Sequence, residues 1–93
     1  MRLNLNELLK NARIEYWEEE DILCIAFGKA MTSNIGDWLL GGNEEVPPIG
    51  IVTELDDETP VALWIFGWKR YWEKNVEKLP LPVRKKVEKW KNT

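Results

Sequence analysis

At 93 residues, with 44% apolar and 31% charged side chains, the chain has the makeup of one globular domain, 1–93, and not of a disordered segment. It carries no histidine, which removes the usual general base near neutral pH and the commonest metal ligand, and its one cysteine, Cys24, has no internal disulfide partner. The net charge of −3 is uneven: residues 1–66 hold 4 basic and 13 acidic side chains, residues 67–93 hold 9 basic and 3 acidic.

A lone thiol inside an apolar run points to a reducing, cytoplasmic setting. The opening segment lacks the apolar stretch of a secretory signal, and no run approaches about 18 apolar residues, so no membrane association is expected. Glutamine is absent while Glu and Lys abound, a leaning of heat-adapted proteins, which seven Asn offset.

Asn4 caps a short predicted helix, with Glu7 in the capping-box position and Leu5, Leu8, Leu9 and Ala12 on one face. Residues 13–17 alternate: Ile14 and Tyr16 point one way, Arg13, Glu15 and Trp17 the other, as in a strand. Glu18, Glu19, Glu20 and Asp21 make a charged turn. Residues 22–27 are continuously apolar, which suits a strand covered on both faces. In the less regular stretch 29–48, Asn34 is placed to cap one or two helical turns through Ile35, Trp38, Leu39 and Leu40, stopped by Gly41 and Gly42. Residues 49–55 and 61–66 read as a second hairpin around Asp56, Asp57, Glu58 and Thr59. From Trp68 the period changes: Trp68, Trp72, Val76 and Leu79 share a helical stripe, with Arg70, Lys74 and Lys78 on another. Pro80 ends that predicted helix. Pro82 opens a further one, with Val83, Val87 and Trp90 as its apolar stripe.

With both hairpins in view, the chain resembles a family of very short bacterial and archaeal proteins of unknown function. Their pattern is a tyrosine, an acidic turn ending in Asp and a Leu/Ile strand, followed later by an apolar strand, an acidic turn and a closing strand. Here the pattern falls on Tyr16, Glu18 to Asp21 and 22–25, then on 51–58 and 61–65. The resemblance spans 14–66. It departs at Thr59 and Pro60, where members usually carry Gly, and at 63–66, where Leu, Trp, Ile and Phe stand in place of Gly-Ile-Glu-Ile. It implies a small β-rich fold with no known activity, some members resembling the small partner beside toxin-like proteins.

The residues offer little catalytic chemistry. The acidic turns carry carboxylates suited to a hard cation, but neither has the spaced oxygens and mid-loop glycine of a calcium loop, and a solvated turn that deters edge-to-edge pairing is the simpler account. Nothing sets two carboxyls across a cleft, as glycoside hydrolysis requires. Cys24 has no histidine to activate it and reads as a small core residue. The stretch 32–36 offers hydroxyls and a glycine near a helix start but lacks the Gly-Lys-Ser/Thr of a phosphate loop. No cofactor or metal is expected.

The expected fold is therefore α+β: a four-stranded, mainly antiparallel sheet from two β-hairpins, a short N-terminal helix, and two C-terminal helices packed on one face. A two-sided apolar strand needs cover on both faces, and the spare aromatics Trp17, Trp38 and Trp64 make a second copy one means of supplying it. The expected role is a non-enzymatic protein-interaction module, a homodimer or the small partner of a toxin-like protein, with Trp38, Trp64, Tyr71 and Trp90 as partner-binding candidates. The alternative is nucleic-acid binding through Arg70, Lys74, Lys78, Arg84, Lys85, Lys86, Lys89 and Lys91, with Tyr71 or Trp90 available for stacking.

Overall fold

A computed structural model describes residues 5–28, 33–42, 45–54 and 59–91. The second acidic turn, Asp56 to Glu58, lies outside the described residues. The elements in chain order are α1 (Leu5–Leu9), β1 (Arg13–Trp17), β2 (Ile22–Ala26), β3 (Ser33–Leu40), β4 (Ile49–Glu54), β5 (Pro60–Phe66), two 3₁₀ turns (Trp72–Lys74 and Val76–Lys78) and α2 (Leu81–Lys91). The strands form one antiparallel sheet in the order β1-β2-β5-β4-β3. The two continuously apolar strands are neighbours, β5 in the centre and β2 beside it, with Ile22 opposite Phe66 and Cys24 opposite Trp64.

The sheet has five strands, not the expected four, and the fifth is the segment expected to be helical. Residues 33–40 pair with β4 through two register shifts, between Ile35 and Asp37 and between Trp38 and Leu40. Each shift inserts an extra residue, so alternation fails twice in eight positions. The result imitates the three- and four-residue spacing of a helix. Pairing also satisfies the outer edge of β4, whose backbone groups a helix would leave without ladder partners.

The expected helix over 68–79 is likewise replaced. The chain leaves β5 in a turn and makes two 3₁₀ segments separated by Asn75, which sits at φ −135°, ψ 39°. The Asn75 side chain donates to the Tyr71 carbonyl at 2.8 Å, diverting a backbone acceptor from a helical ladder. Burial nonetheless follows the stripe: Trp68, Trp72 and Leu79 are all buried, and only Val76 is half-buried. The second expected helix is present as α2, with Pro82 in its first turn, where a missing N–H costs nothing.

The main core lies on one face of the sheet. Leu23, Ile25, Leu63, Ile65, Ile49 and Ile51 meet Trp68, Trp72, Leu79, Val83 and Val87, with Leu9 of α1 closing one end. The turn 18–21 fixes how the roof attaches. Asp21 takes the left-handed backbone conformation, φ 55°. Its carbonyl accepts from Gly67 N–H at 2.8 Å and Trp68 N–H at 3.2 Å. Its carboxylate accepts from the Tyr16 hydroxyl at 2.7 Å, Lys69 N–H at 2.8 Å and Arg70 N–H at 3.3 Å. Burial pushes the Asp21 carboxyl up, but the hydrogen bonds from Lys69, Tyr16 and Arg70, with the Arg70 charge, outweigh it and hold the group below its ordinary value. The same Asp21 hydrogen bond, aided by desolvation, pushes Tyr16 up to about 12. The expectation of a merely solvated acidic turn thus fails at its last residue. Gly67, at φ 68°, is required by its surroundings: a Cβ there would stand 2.7 Å from Pro47 Cγ.

Asp21→Asn keeps the tolerance for a left-handed backbone and is expected to lower stability by about 1–2 kcal/mol in denaturant melts. Asp21→Ala, which also strains the backbone, should cost about 1 kcal/mol more. The lowered Asp21 value contributes stability above about pH 4 that fades as pH falls further, so the acid limb of a stability–pH curve should flatten in Asp21→Asn. The raised Tyr16 value contributes fully below about pH 10 and is lost as pH rises through about 12, so Tyr16→Phe should remove that alkaline limb.

Gly67→Ala should cost about 2 kcal/mol, from the left-handed backbone and the Pro47 contact together. In a double-mutant cycle with Pro47→Ala, the combined loss should fall short of the sum of the single losses.

Candidate functional site

The second face of the sheet is built by strand alternation. Ile14 and Tyr16 pack toward the main core, so Arg13, Glu15 and Trp17 occupy the opposite face. Pairing then carries that face across the sheet. Glu15 lies opposite Cys24, Cys24 opposite Trp64, Trp64 opposite Gly50, and Gly50 opposite Trp38. Trp17 lies opposite Ile22, and Ile22 opposite Phe66, on the adjoining row. Four aromatic rings consequently form one chain across β1, β5 and β3. Trp17 meets Trp64 edge to face at 5.4 Å, Trp64 meets Phe66 at 6.3 Å, and Phe66 meets Trp38 at 6.1 Å.

This face has a thin core of its own. Cys24, Val52, Val61 and Ala62 are buried, with Trp17, Ala26 and Trp64 packed over them. Among the described residues only side chains of the sheet and its immediate ends contribute to this cluster, and no helix covers it. Trp17, Trp64 and Phe66 are half-buried, and Trp38 is 54% exposed. The charged side chains placed here by alternation on β1 are one cation and one anion, Arg13 and Glu15, with the Trp17 indole N–H donating to Glu15 at 3.4 Å. Burial pushes the Cys24 thiol up, opposed by a hydrogen bond with Trp64 and by Arg13, so it stays a neutral, poorly nucleophilic group.

The four aromatic candidates divide between the two sides. Trp38 and Trp64 belong to the open face. Tyr71 and Trp90 lie on the helix-covered side, packed against the main core. Tyr71 is engaged locally: its ring sits edge-on to Trp72 at 4.9 Å and its hydroxyl accepts from Lys78 Nζ at 3.2 Å. Trp90 is half-buried and edge-on to Trp68 at 6.4 Å. Trp17 is among the spare aromatics of the sequence, whereas Phe66 reads there as the end of a buried strand. The signal was available in its separation of two from Trp64, which places both on one face.

The basic candidates do not form a single stripe. Lys78 lies over the Tyr71 ring at 5.5 Å, and Arg84 pairs with Glu88 at 3.9 Å. Arg70, Lys74 and Lys78 belong to the segment between β5 and α2, whereas Lys85, Lys86 and Lys89 line a depression beside α1 together with Lys10. Among the described residues no three His, Cys, Asp or Glu side chains are grouped to hold a metal ion, and no helix is long and apolar enough to cross a membrane.

Comparisons with family models, with curated proteins and with solved structures each return no match to this chain.

Proposed function

We infer that the protein is a non-enzymatic protein-interaction module, and that the occupant of its open sheet face is a second copy of the chain. The observation that carries this reading is the aromatic chain Trp17, Trp64, Phe66 and Trp38 across a face that no described helix covers. Aromatic side chains anchor interfaces because they present a large rigid surface at low entropic cost. The charges flanking them on β1, Arg13 and Glu15, cancel, so two copies can meet there without like-charge repulsion across the contact.

Size sets the strength. Five strands at about 4.8 Å spacing and five residues at about 3.3 Å each give a face of about 24 by 17 Å, or about 400 Å² in plan. That lies below the roughly 800 Å² per partner of a standard stable interface, so the association is of the weak, reversible class.

The nucleic-acid reading finds less support. Its basic residues are split between the segment after β5 and α2, Lys78 and Arg84 are engaged by Tyr71 and Glu88, and of its two stacking candidates Tyr71 is packed edge-on to Trp72 while Trp90 lies beside Lys86 and Lys89.

Sedimentation equilibrium should show a concentration-dependent dimer with Kd in the micromolar range. Trp38→Lys, at an exposed position, should weaken it at least about tenfold, equal to 1.4 kcal/mol, while Lys85→Glu on the opposite side should leave it unchanged. A protein strictly monomeric to about 1 mM, or a dimer indifferent to Trp38→Lys, overturns this reading.

A further inference from the structure

We propose that the groove along α2, bounded by α1 and the start of β1, binds an acidic, amphipathic peptide segment of a partner protein. This surface is separate from the open sheet face and does not depend on it.

Two adjoining depressions of about 230 and 200 Å³ run along α2 and share Lys86 and Lys89. Their apolar floor is Leu9 and Pro82 in the first, and Ala12, Ile14 and Trp90 in the second. Lys10 and Lys85 complete a rim of four ammonium groups. Helix geometry explains the clustering. Val83 and Val87 point into the core, which turns Lys85, Lys86 and Lys89 toward α1 and the solvent. Like charges three and four residues apart weaken a helix. The carboxylate of α2, Glu88, is spent on Arg84, and among the described residues no ion pair joins the four rim lysines to an acidic group.

A cationic rim over an apolar floor selects its ligand by both properties. Carboxylates at intervals along a peptide can meet the rim while Leu- or Ile-like side chains enter the two depressions. A nucleic-acid backbone would use the lysines but leave the floor unfilled. The long alkyl stems of the lysines extend the apolar wall while keeping the charges in water. The occupant is therefore argued from charge complementarity together with the hydrophobic base.

The probe is a fluorescein-labelled 14-residue peptide carrying Leu at i, i+3, i+4 and i+7 and Glu at most other positions, read by anisotropy with the full chain. Saturable binding is expected. Lys85→Glu/Lys89→Glu should weaken it at least tenfold, and Lys10→Glu should weaken it several-fold. All three positions are exposed, so the fold is kept, which circular dichroism verifies. Trp38→Lys should leave peptide affinity unchanged, separating this site from the open face. A peptide of equal charge with every Leu replaced by Ser should bind at least fivefold more weakly. The proposal is overturned if the Ser peptide binds equally, if a single-stranded oligonucleotide of equal charge binds more tightly, if charge reversal has no effect, or if the Leu/Glu peptide does not bind.

Discussion

The attachment of the β5 exit to Asp21 decides which face of the sheet is roofed. Because Ile22 pairs with Phe66, the turn before β2 and the turn after β5 meet at the same end of the sheet. Asp21 joins them with four accepted hydrogen bonds, two at its carbonyl and two at its carboxylate, which also accepts from Tyr16 of its own hairpin. Two of the three carboxylate bonds are exposed, so the carboxylate's net contribution is about 1–2 kcal/mol, still a sizeable share of the roughly 5–15 kcal/mol that typically separates folded from unfolded. The left-handed backbone at Asp21 aims the carboxylate at the amides of Lys69 and Arg70. That contact directs Trp68 and Trp72 beneath Leu23, Ile25, Leu63 and Ile65. The other face keeps its aromatic chain without a helical cover among the described residues.

Much of this was legible in the residues, and the failures have identifiable causes. Residues 22–27 and 61–66 read as two-sided strands because a continuous apolar run of that length fits little else, and they are the paired strands at the heart of the sheet. The Trp68, Trp72 and Leu79 stripe correctly named buried residues while misnaming their backbone. A stripe reports which side chains face the core; it does not report whether Asn75 will take a carbonyl from the ladder. The 33–40 segment failed for a different reason: bulges remove the alternation by which a strand is recognised. Asp21 was hidden because its decisive partners are backbone amides 48 and 49 residues away. The local hint was Tyr16, five residues earlier and in hydrogen-bond reach across the turn.

The candidate site was half legible. Trp17, Trp38 and Trp64 stood out as aromatics in excess of what one core needs. Their meeting depended on pairing between strands distant in sequence. Small residues beside Trp64 make room for the row: Cys24 on one side and Gly50 on the other carry little or no side chain. Trp64 can therefore cover its neighbours and still touch both Trp17 and Phe66. The face is sticky and small at once, which favours exchange over permanent assembly.

The charge imbalance that is plain in the sequence becomes spatial in a way composition alone does not reveal. Of the 9 basic side chains after residue 66, several are occupied. Lys69 lies over Tyr16 at 5.3 Å, Lys78 meets Tyr71, and Arg84 meets Glu88. Of the others, Lys85, Lys86 and Lys89 gather on one side of α2, where Lys10, just after α1, joins them. At physiological salt the screening length is about 8 Å. Acidic groups farther off than that do little to neutralise the groove. An acidic chain can in this way present a local cationic surface, because charges act strongly only within the screening length and the lysines of α2 are gathered inside it.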